Sequence, residues 1–470
     1  MLEEWGAEAL DGLSEYLQAC AARKGRVITL RSSAEWLQEL AAVRWIRDGG
    51  MDAAAFRAWL AAYLAGVTRL HHPACMGHQV SAPPAPAAVA DLVNGVINNG
   101  TAIREMAPPG VALERAVVGW MLGKTGWDPD QADGVLVSGG SLANLTALLA
   151  ARAVHAPEAW ESGVPQDLAV LAPASAHYSV ARALGILGFG ADALVPVAVD
   201  AQNRLLAADL APALQRARDS GRRPAILVAS AGSTATGAHD PLEAAGRFAR
   251  AHDMWFHVDG AHGASALLSP RLRSRLAGIE LADSLVWDAH KMLHTSSLCA
   301  AVLVRRRGAL EAAFRADASY LGDPAAGPDS ADADPWHRTI ECTRPVLALK
   351  LFLNLAAFGE AGCGRRVEAL GERTREFHDL LAARPGFVCL APPESNILCF
   401  RCGGDAADQS ELRRRVLAEG RHYLTQASVH GRVWLRLTVM NPDSAREDLL
   451  SLAAALERHL REVESVTADP

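Results

Sequence analysis

A lysine and an aspartate each stand at the end of an apolar run in the second half of the chain. Lys291 follows the run Ser284–Trp287, and Asp259 ends the run that begins at Met254, about one βαβ crossover earlier. The carboxyl ends of parallel strands share one edge of a sheet. An amine there can form a Schiff base with an aldehyde, and a carboxylate can keep a pyridine nitrogen protonated. The pair therefore predicts pyridoxal 5'-phosphate as cofactor.

Three other segments that follow predicted strands carry groups suited to the same cofactor. Gly140 and Ser141 stand between a strand and a helix, whose free N–H groups and positive dipole end favour a phosphate. His177 follows the next strand, and its flat ring could stack on a pyridine. Ser233 follows another and could bond the cofactor's phenolic oxygen or a substrate carboxylate. Taken alone, each of these residues could have a purely structural role. Their position at one edge of the predicted sheet favours a cofactor-binding site instead.

Seven apolar runs alternate with helical patterns between about residues 86 and 310. This alternation predicts an α/β fold with a mainly parallel seven-stranded sheet covered by helices on both faces. The predicted strands are Gly134–Val137, Leu168–Leu171, Ala193–Val199, Ala225–Ala229, Trp255–Asp259, Ser284–Trp287 and Cys299–Val304.

The chain divides into three predicted parts. Residues 1–85 form a helical segment that ends in an irregular stretch rich in proline and histidine, residues 71–84, which we call the HP loop. Residues 86–345 form the large cofactor-binding domain, with a mobile loop at about 320–336 that holds small, acidic and proline residues. Residues 346–470 form a small C-terminal α+β domain.

Composition narrows the class of protein. The chain has 470 residues, is half apolar and carries a net charge of −7 with no basic stripe, which argues against nucleic-acid binding. Its apolar stretches predict no membrane span, and its acidic start predicts a cytoplasmic location. The eight cysteines suggest reduced thiols. Cys399 and Cys402 form a CxxC inside a strand-like run, where they face opposite sides, so we expect no metal site.

At these residues the chain resembles the group II pyridoxal-phosphate-dependent amino-acid decarboxylases. This family contains the glutamate, cysteine sulfinate, 2,4-diaminobutyrate and aromatic L-amino-acid decarboxylases. The resemblance runs from about residue 70 to 460 and rests on separate motifs in order: the HP loop, SGGSLANLTAL, SAHYS, HVDGAHG, DAHKML, RTIECTR and LRLTVMNP. It implies a fold type I homodimer in which each active site is built from both subunits.

The resemblance also implies a role for individual residues. Lys291 would form the Schiff base, Asp259 would pair with the pyridinium and His177 would stack on the ring. The remaining cofactor contacts would be Gly140 and Ser141 at the phosphate, Ser233 and Ala261 along the ring, and Asp288 and His290 beside the lysine. The substrate contacts would be Gln79, Val80 and Ser81 of the HP loop, and Arg436 in the C-terminal domain.

Two positions depart from the family pattern. Aromatic-amino-acid members carry an asparagine where this chain has Asp288, so an amide donor to phosphate is replaced by an acid. Many members also supply a loop tyrosine that protonates the substrate carbon. Its expected position falls near Ala333–Pro335, and no tyrosine lies between Leu321 and His337. The nearest residues that can donate a proton easily are Tyr320 and His337; Trp336 is a poorer substitute.

These features predict decarboxylation of a small L-amino acid to its amine and carbon dioxide. An acidic side chain is favoured by Gln79, Ser81 and Arg436, while His78 and the acidic loop could serve a substrate resembling diaminobutyrate. The missing tyrosine leaves open a reaction of a slowly protonated intermediate with dioxygen, which would release an aldehyde. A non-catalytic cofactor-binding protein is a third alternative, disfavoured by the presence of both Lys291 and Asp259.

Overall fold

The computed structural model describes residues 2–315 and 334–468, with side chains as far as residue 463. The chain divides into two compact units. One comprises residues 1–82, 372–392 and 396–470, and the other comprises residues 83–371 and 393–395. The three-part division at residues 85 and 345 stays a prediction.

The described residues form eleven strands and fifteen α-helices. The strands are β1 (Asp133–Val137), β2 (Leu168–Pro173), β3 (Leu194–Val197), β4 (Arg223–Ser230), β5 (Trp255–Asp259), β6 (Ser284–Asp288), β7 (Ala300–Val304), β8 (Phe387–Cys389), β9 (Ile397–Cys402), β10 (Thr425–Val429) and β11 (Arg432–Thr438). The helices are α1 (Leu2–Ala21), α2 (Ser33–Glu39), α3 (Ala42–Asp48), α4 (Ala53–Gly66), α5 (Ala85–Ile97), α6 (Pro108–Thr125), α7 (Gly140–His155), α8 (Ala159–Ser162), α9 (Tyr178–Ile186), α10 (Leu210–Asp219), α11 (Leu242–Ala251), α12 (Ala309–Ala313), α13 (Leu347–Ala382), α14 (Gln409–Glu419) and α15 (Arg446–Ala468).

The large sheet has seven strands in the order β1-β7-β6-β5-β4-β2-β3. Strand β7 runs antiparallel to both of its neighbours, and the other strand pairs are parallel. All seven predicted strands are present, so the predicted α/β fold is confirmed. Strands β4, β5 and β6 are parallel neighbours, and their carboxyl ends bring the segments after Ser230, Asp259 and Asp288 to one edge.

Both faces of this sheet are buried. In β1, Leu136 belongs to one hydrophobic cluster, whereas Val135 and Val137 belong to a second cluster that contains much of α7. Because a strand buried on both faces has no polar side, its sequence is a continuous apolar run. The five residues of β5 are all buried, and two of them, His257 and Asp259, are polar. Those two need partners inside the protein.

The smaller sheet is antiparallel, in the order β10-β11-β9-β8. The HP loop extends it through Met76, whose N–H donates to Tyr423 O (2.9 Å) and whose carbonyl accepts from Thr438 N (2.9 Å). Cys399 and Cys402 are both buried on β9, and neither forms a disulfide. Among the described residues, no group of three or more His, Cys, Asp or Glu side chains could hold a metal ion.

Helix α13 is the longest helix among the described residues. Gly359 interrupts it with a left-handed φ of 67°, so two helical segments meet there at a kink. By length and composition the helix could cross a membrane, although a buried helix of a soluble protein meets the same criterion. Leu347, Ala348 and Leu351 at its start belong to the core of the large sheet.

The predicted mobile loop at about 320–336 lies mostly outside the described residues, as does Tyr320. The segment that follows it forms a short 3-10 turn, Pro335–Arg338, which contains Trp336 and His337. Arg338 anchors this turn by ion pairs to Glu311 (2.6 Å) and Asp133 (3.1 Å).

Candidate active site

Lys291 lies in the turn after β6, beside the last residue of that strand. Its Nζ atom is 3.2 Å from Oδ2 of Asp288, whose side chain is fully buried. Nε2 of His290 lies 3.7 Å from the same oxygen. Burial raises the pKa of the Asp288 carboxyl, and the charge of Lys291 opposes that rise. The acid that departs from the family pattern is therefore paired with the lysine beside it.

The amino terminus of α7 lies against Asp288. Gly139, which precedes the helix, has a φ of 99°, a conformation that favours glycine. A Cβ atom on Gly140 would lie 2.7 Å from Oδ2 of Asp288, so a side chain cannot be accommodated there unless Asp288 moves. Ser141 is exposed. This helix end offers the free N–H groups and the positive dipole end that a phosphate needs.

Asp259 ends β5 and is held by two donors. Its Oδ2 accepts a hydrogen bond from Nδ2 of Asn144 (2.9 Å), and its Oδ1 accepts one from the backbone N–H of Ala261 (3.2 Å). These two hydrogen bonds fix the orientation of the carboxyl group. A carboxylate held in this way suits a protonated pyridine nitrogen.

His177 caps the amino terminus of α9. Its Nδ1 accepts from the backbone N–H of Ser179 (3.3 Å) and lies 2.7 Å from the Ser179 hydroxyl. Burial is the main cause that lowers its pKa; the charges of Asp259 and Asp288 raise the pKa, and that of Lys291 lowers it. The Ser179 hydroxyl and the Asn144 amide connect His177 to Asp259 by hydrogen bonds, so the structure brings these two residues together.

Ser233 and Ala261 follow neighbouring strands β4 and β5. The Ser233 hydroxyl lies 2.9 Å from that of Thr236, and both Ser233 and Ala261 are buried. The carbonyl of Ala261 accepts from the N–H of Asp288 (3.2 Å), which places this segment beside the end of β6. Their predicted contacts with the cofactor stay predictions.

The four predicted substrate contacts all lie in the other unit, the one that contains the small sheet. Gln79 and Ser81 are buried, and Val80 is exposed. Arg436 is buried on β11, where its Nη1 donates to the hydroxyl of Thr425 (3.2 Å). Burial lowers the pKa of its guanidinium.

Sequence reasoning missed three buried polar residues around Asp259 and His177. Asn144 Nδ2 donates to the Ser179 hydroxyl (2.8 Å) as well as to Asp259, and its Oδ1 lies 3.0 Å from Nε2 of His257. The available signal was the position of Asn144 and His257 inside apolar runs, where an isolated polar residue must have an internal partner.

Comparison with known proteins agrees with this site. A sequence profile described as the pyridoxal-dependent decarboxylase conserved domain matches residues 60–403. The chain belongs to this family. The family resemblance inferred from the motifs is therefore confirmed, together with pyridoxal 5'-phosphate as cofactor and amino-acid decarboxylation as the reaction class.

Individual relatives match most of the length of this chain. The chain is 32% identical to L-2,4-diaminobutyrate decarboxylase of Rhizobium meliloti (strain 1021) over 408 residues, and the matched region covers 85% of this chain and 80% of the relative. It is 30% identical to cysteine sulfinic acid decarboxylase of Mus musculus, covering 82% of each chain. Among solved structures, a crystal structure of mouse CSAD is 26% identical, with a TM-score of 0.88 over 96% of this chain and 98% of that one.

Proposed function

We propose that this decarboxylase converts a small L-amino acid with an acidic side chain to the corresponding amine and carbon dioxide. Arg436 carries the proposal, because its guanidinium is buried on β11 and a guanidinium is suited to bind a carboxylate or sulfinate through paired hydrogen bonds. The relatives are consistent with it, since two are a cysteine sulfinic acid decarboxylase and an acidic amino acid decarboxylase, GADL1, of Mus musculus at 30% identity.

The residues of the larger unit fit the cofactor. When bound, pyridoxal phosphate accepts the electrons that the departing carboxylate leaves behind. In our proposal Lys291 holds the cofactor aldehyde, Asp259 keeps the pyridine nitrogen protonated and His177 lies against the ring. Gly140 and Ser141 bind the phosphate, Ser233 and Ala261 contact the ring, and Asp288 and His290 position Lys291.

Charges in the smaller unit favour an acidic substrate over a cationic one. Burial lowers the pKa of His78, and the positive charges of Arg436 and Arg413 lower it further. His78 is therefore neutral at physiological pH. The positive charge around it comes from the guanidiniums of Arg413 and Arg436. A carboxylate or sulfinate is attracted to such a group, whereas the side-chain ammonium of diaminobutyrate is repelled.

A screen for carbon dioxide release tests the proposed function. Aspartate, glutamate, cysteine sulfinate, 2,4-diaminobutyrate and the aromatic amino acids would be offered to the protein saturated with pyridoxal phosphate. We expect release from at least one acidic substrate. Preference for diaminobutyrate, the substrate that the Rhizobium relative's name gives, would overturn the acidic assignment.

Peroxide and aldehyde assays on the same samples would reveal the oxygen-dependent reaction that the absence of a tyrosine from residues 322–337 leaves open.

Replacement of Arg436 by glutamine should change substrate preference. Loss of a buried charge pair typically costs about 2–5 kcal/mol, so kcat/KM for acidic substrates should fall by about 30-fold or more. The value for 2,4-diaminobutyrate should not fall, because its side chain makes no ion pair there. Arg432→Gln, at the exposed start of the same strand, is the matched control. An equal loss for every substrate would mean that Arg436 binds the α-carboxylate instead.

We also propose a cytoplasmic homodimer with an active site built from both subunits, which binds neither nucleic acid nor membrane. Helix α5 supports the dimer, because five of its apolar residues are exposed at the spacing of one helical face: Val89, Leu92, Val93, Val96 and Ile97. The chain needs something to cover that face, and a second copy does so in our proposal.

The dimer should depend on this face of α5. Leu92→Glu places a charge in the centre of this face. We expect the variant to elute as a monomer in size-exclusion chromatography with light scattering, and to release carbon dioxide more slowly than the wild type. Trp160→Glu, at an exposed aromatic residue on α8 of the same unit, should remain dimeric. A monomeric wild-type protein with full activity would contradict the proposal.

A further inference from the structure

A chain of buried hydrogen bonds connects Trp255 to Asp259 and His177. It runs from Trp255 Nε1 to the Ser284 hydroxyl (2.8 Å), then to Nδ1 of His257 (2.8 Å) and from Nε2 of His257 to Oδ1 of Asn144 (3.0 Å). Asn144 Nδ2 reaches both Asp259 (2.9 Å) and the Ser179 hydroxyl (2.8 Å). The Ser179 hydroxyl lies 2.7 Å from Nδ1 of His177.

The two ends of this chain restrict the directions of the hydrogen bonds between them. An indole N–H can only donate, and an ionised carboxylate can only accept. Asn144 must therefore present its Nδ2 to Asp259, which leaves its Oδ1 facing His257, so Nε2 of His257 carries a proton. The indole N–H of Trp255 donates to the Ser284 hydroxyl oxygen. The proton of that hydroxyl can then point at Nδ1 of His257. Both requirements are met by one neutral tautomer of His257.

The branch to His177 fixes that residue in the same way. Asn144 donates to the Ser179 hydroxyl, whose proton is then directed at Nδ1 of His177. The backbone N–H of Ser179 points at the same nitrogen. With two donors at Nδ1, the His177 proton must lie on Nε2, and a charged imidazolium would place N–H against N–H.

We propose that Asn144 is a positioning residue that couples Asp259 to His177, holding Asp259 as an oriented carboxylate and His177 as the neutral Nε2–H tautomer. The proposal rests on the cofactor roles of these two residues given above. His257 and Ser284 act one step behind Asn144, since they fix the amide orientation. A single amide thus contacts Asp259 directly and reaches His177 through the Ser179 hydroxyl.

Burial supports the neutral states. His257 and Asn144 are almost fully buried, and burial lowers the pKa of His257. Burial also lowers the pKa of His177. The charged groups that act on His177 are Asp259 at the end of β5, Asp288 and Lys291 at the end of β6, and Arg182 on its own helix, and they partly cancel. The hydrogen-bond geometry therefore decides which nitrogen holds the proton.

Nitrogen NMR of the apoprotein tests the proposal without relying on turnover. With ¹⁵N-labelled histidine, and with His177→Gln and His257→Gln to assign the signals, we expect an unprotonated Nδ1 and a protonated Nε2 for both residues between pH 6 and 8. A His177 that carries its proton on Nδ1, or that becomes fully charged near pH 6.5, would overturn the proposal, whatever amino acid the enzyme decarboxylates.

Three variants separate positioning from simple folding effects. Asn144→Leu should raise the dissociation constant for pyridoxal phosphate about tenfold and shift the His177 nitrogen signals, because the Ser179 hydroxyl loses the donor that orients it. Ser179→Ala should change the His177 signals while leaving cofactor affinity less affected, because the contact between Asn144 and Asp259 remains. Thr146→Val is the control, since this buried residue of α7 has a hydroxyl without a hydrogen-bond partner. Unchanged His177 signals in both test variants, with circular dichroism showing a native fold, would contradict the coupling.

Discussion

Replacement of Lys291 by arginine should abolish carbon dioxide release, with a loss in kcat of at least about 10⁴-fold for any substrate. Arginine keeps a positive charge that can pair with Asp288, so the buried acid is not left without a cation. It cannot act as an amine nucleophile, because its guanidinium stays protonated at all accessible pH values. The loss therefore reports on Schiff-base chemistry rather than on charge balance.

A direct chemical readout accompanies the activity assay for Lys291. Reduction of the wild-type holoenzyme with borohydride, followed by peptide mass analysis, should attach the cofactor to the peptide that contains Lys291. The Lys291→Arg protein should give no labelled lysine. Lys124→Arg, at a lysine of α6 paired with Glu360, should behave as wild type in both assays. Labelling of a different lysine in the wild-type protein would refute the assignment.

The sequence was sufficient to predict the strands of the large sheet, because each is buried on both faces and is therefore a short apolar run. It could not predict that β7 runs antiparallel to its neighbours, since an apolar run has the same pattern in either direction. Nor could it show that Met76 joins the small sheet beside Tyr423 and Thr438, because those contacts link residues more than 340 positions apart.

The residues of the site likewise divide into those that the sequence could predict and those that it could not. Lys291, Asp259 and His177 could be proposed because each ends or follows a predicted strand, and parallel strands bring such positions to one edge. For Asn144 the sequence shows only an isolated polar residue in an apolar run, which indicates that it has an internal partner. It does not show which partner, because the partners come from β5 and α9. The hydrogen bonds of a buried amide depend on tertiary packing, which a local pattern does not contain.

Replacement of Asp259 by asparagine should lower kcat by about 100-fold or more and weaken binding of pyridoxal phosphate. The side chain keeps its shape but loses the charge that holds the pyridine nitrogen protonated, and electrostatic stabilisation is commonly the largest catalytic contribution. The new amide also meets two donors, Asn144 Nδ2 and the N–H of Ala261, with only one accepting oxygen. One of these N–H groups must then face another donor.

Two comparisons separate the effect of the charge from that of the hydrogen bonds. Asp259→Glu restores the charge but displaces it, so it should recover cofactor affinity better than it recovers kcat. Asp253→Asn is the matched control, because this exposed residue has a left-handed φ of 54° that asparagine tolerates well. If Asp259→Asn lowered cofactor affinity yet left kcat at saturating cofactor unchanged, Asp259 would serve only to bind the ring. The proposed function would then need another source of charge stabilisation, and the coupling through Asn144 would matter for binding alone.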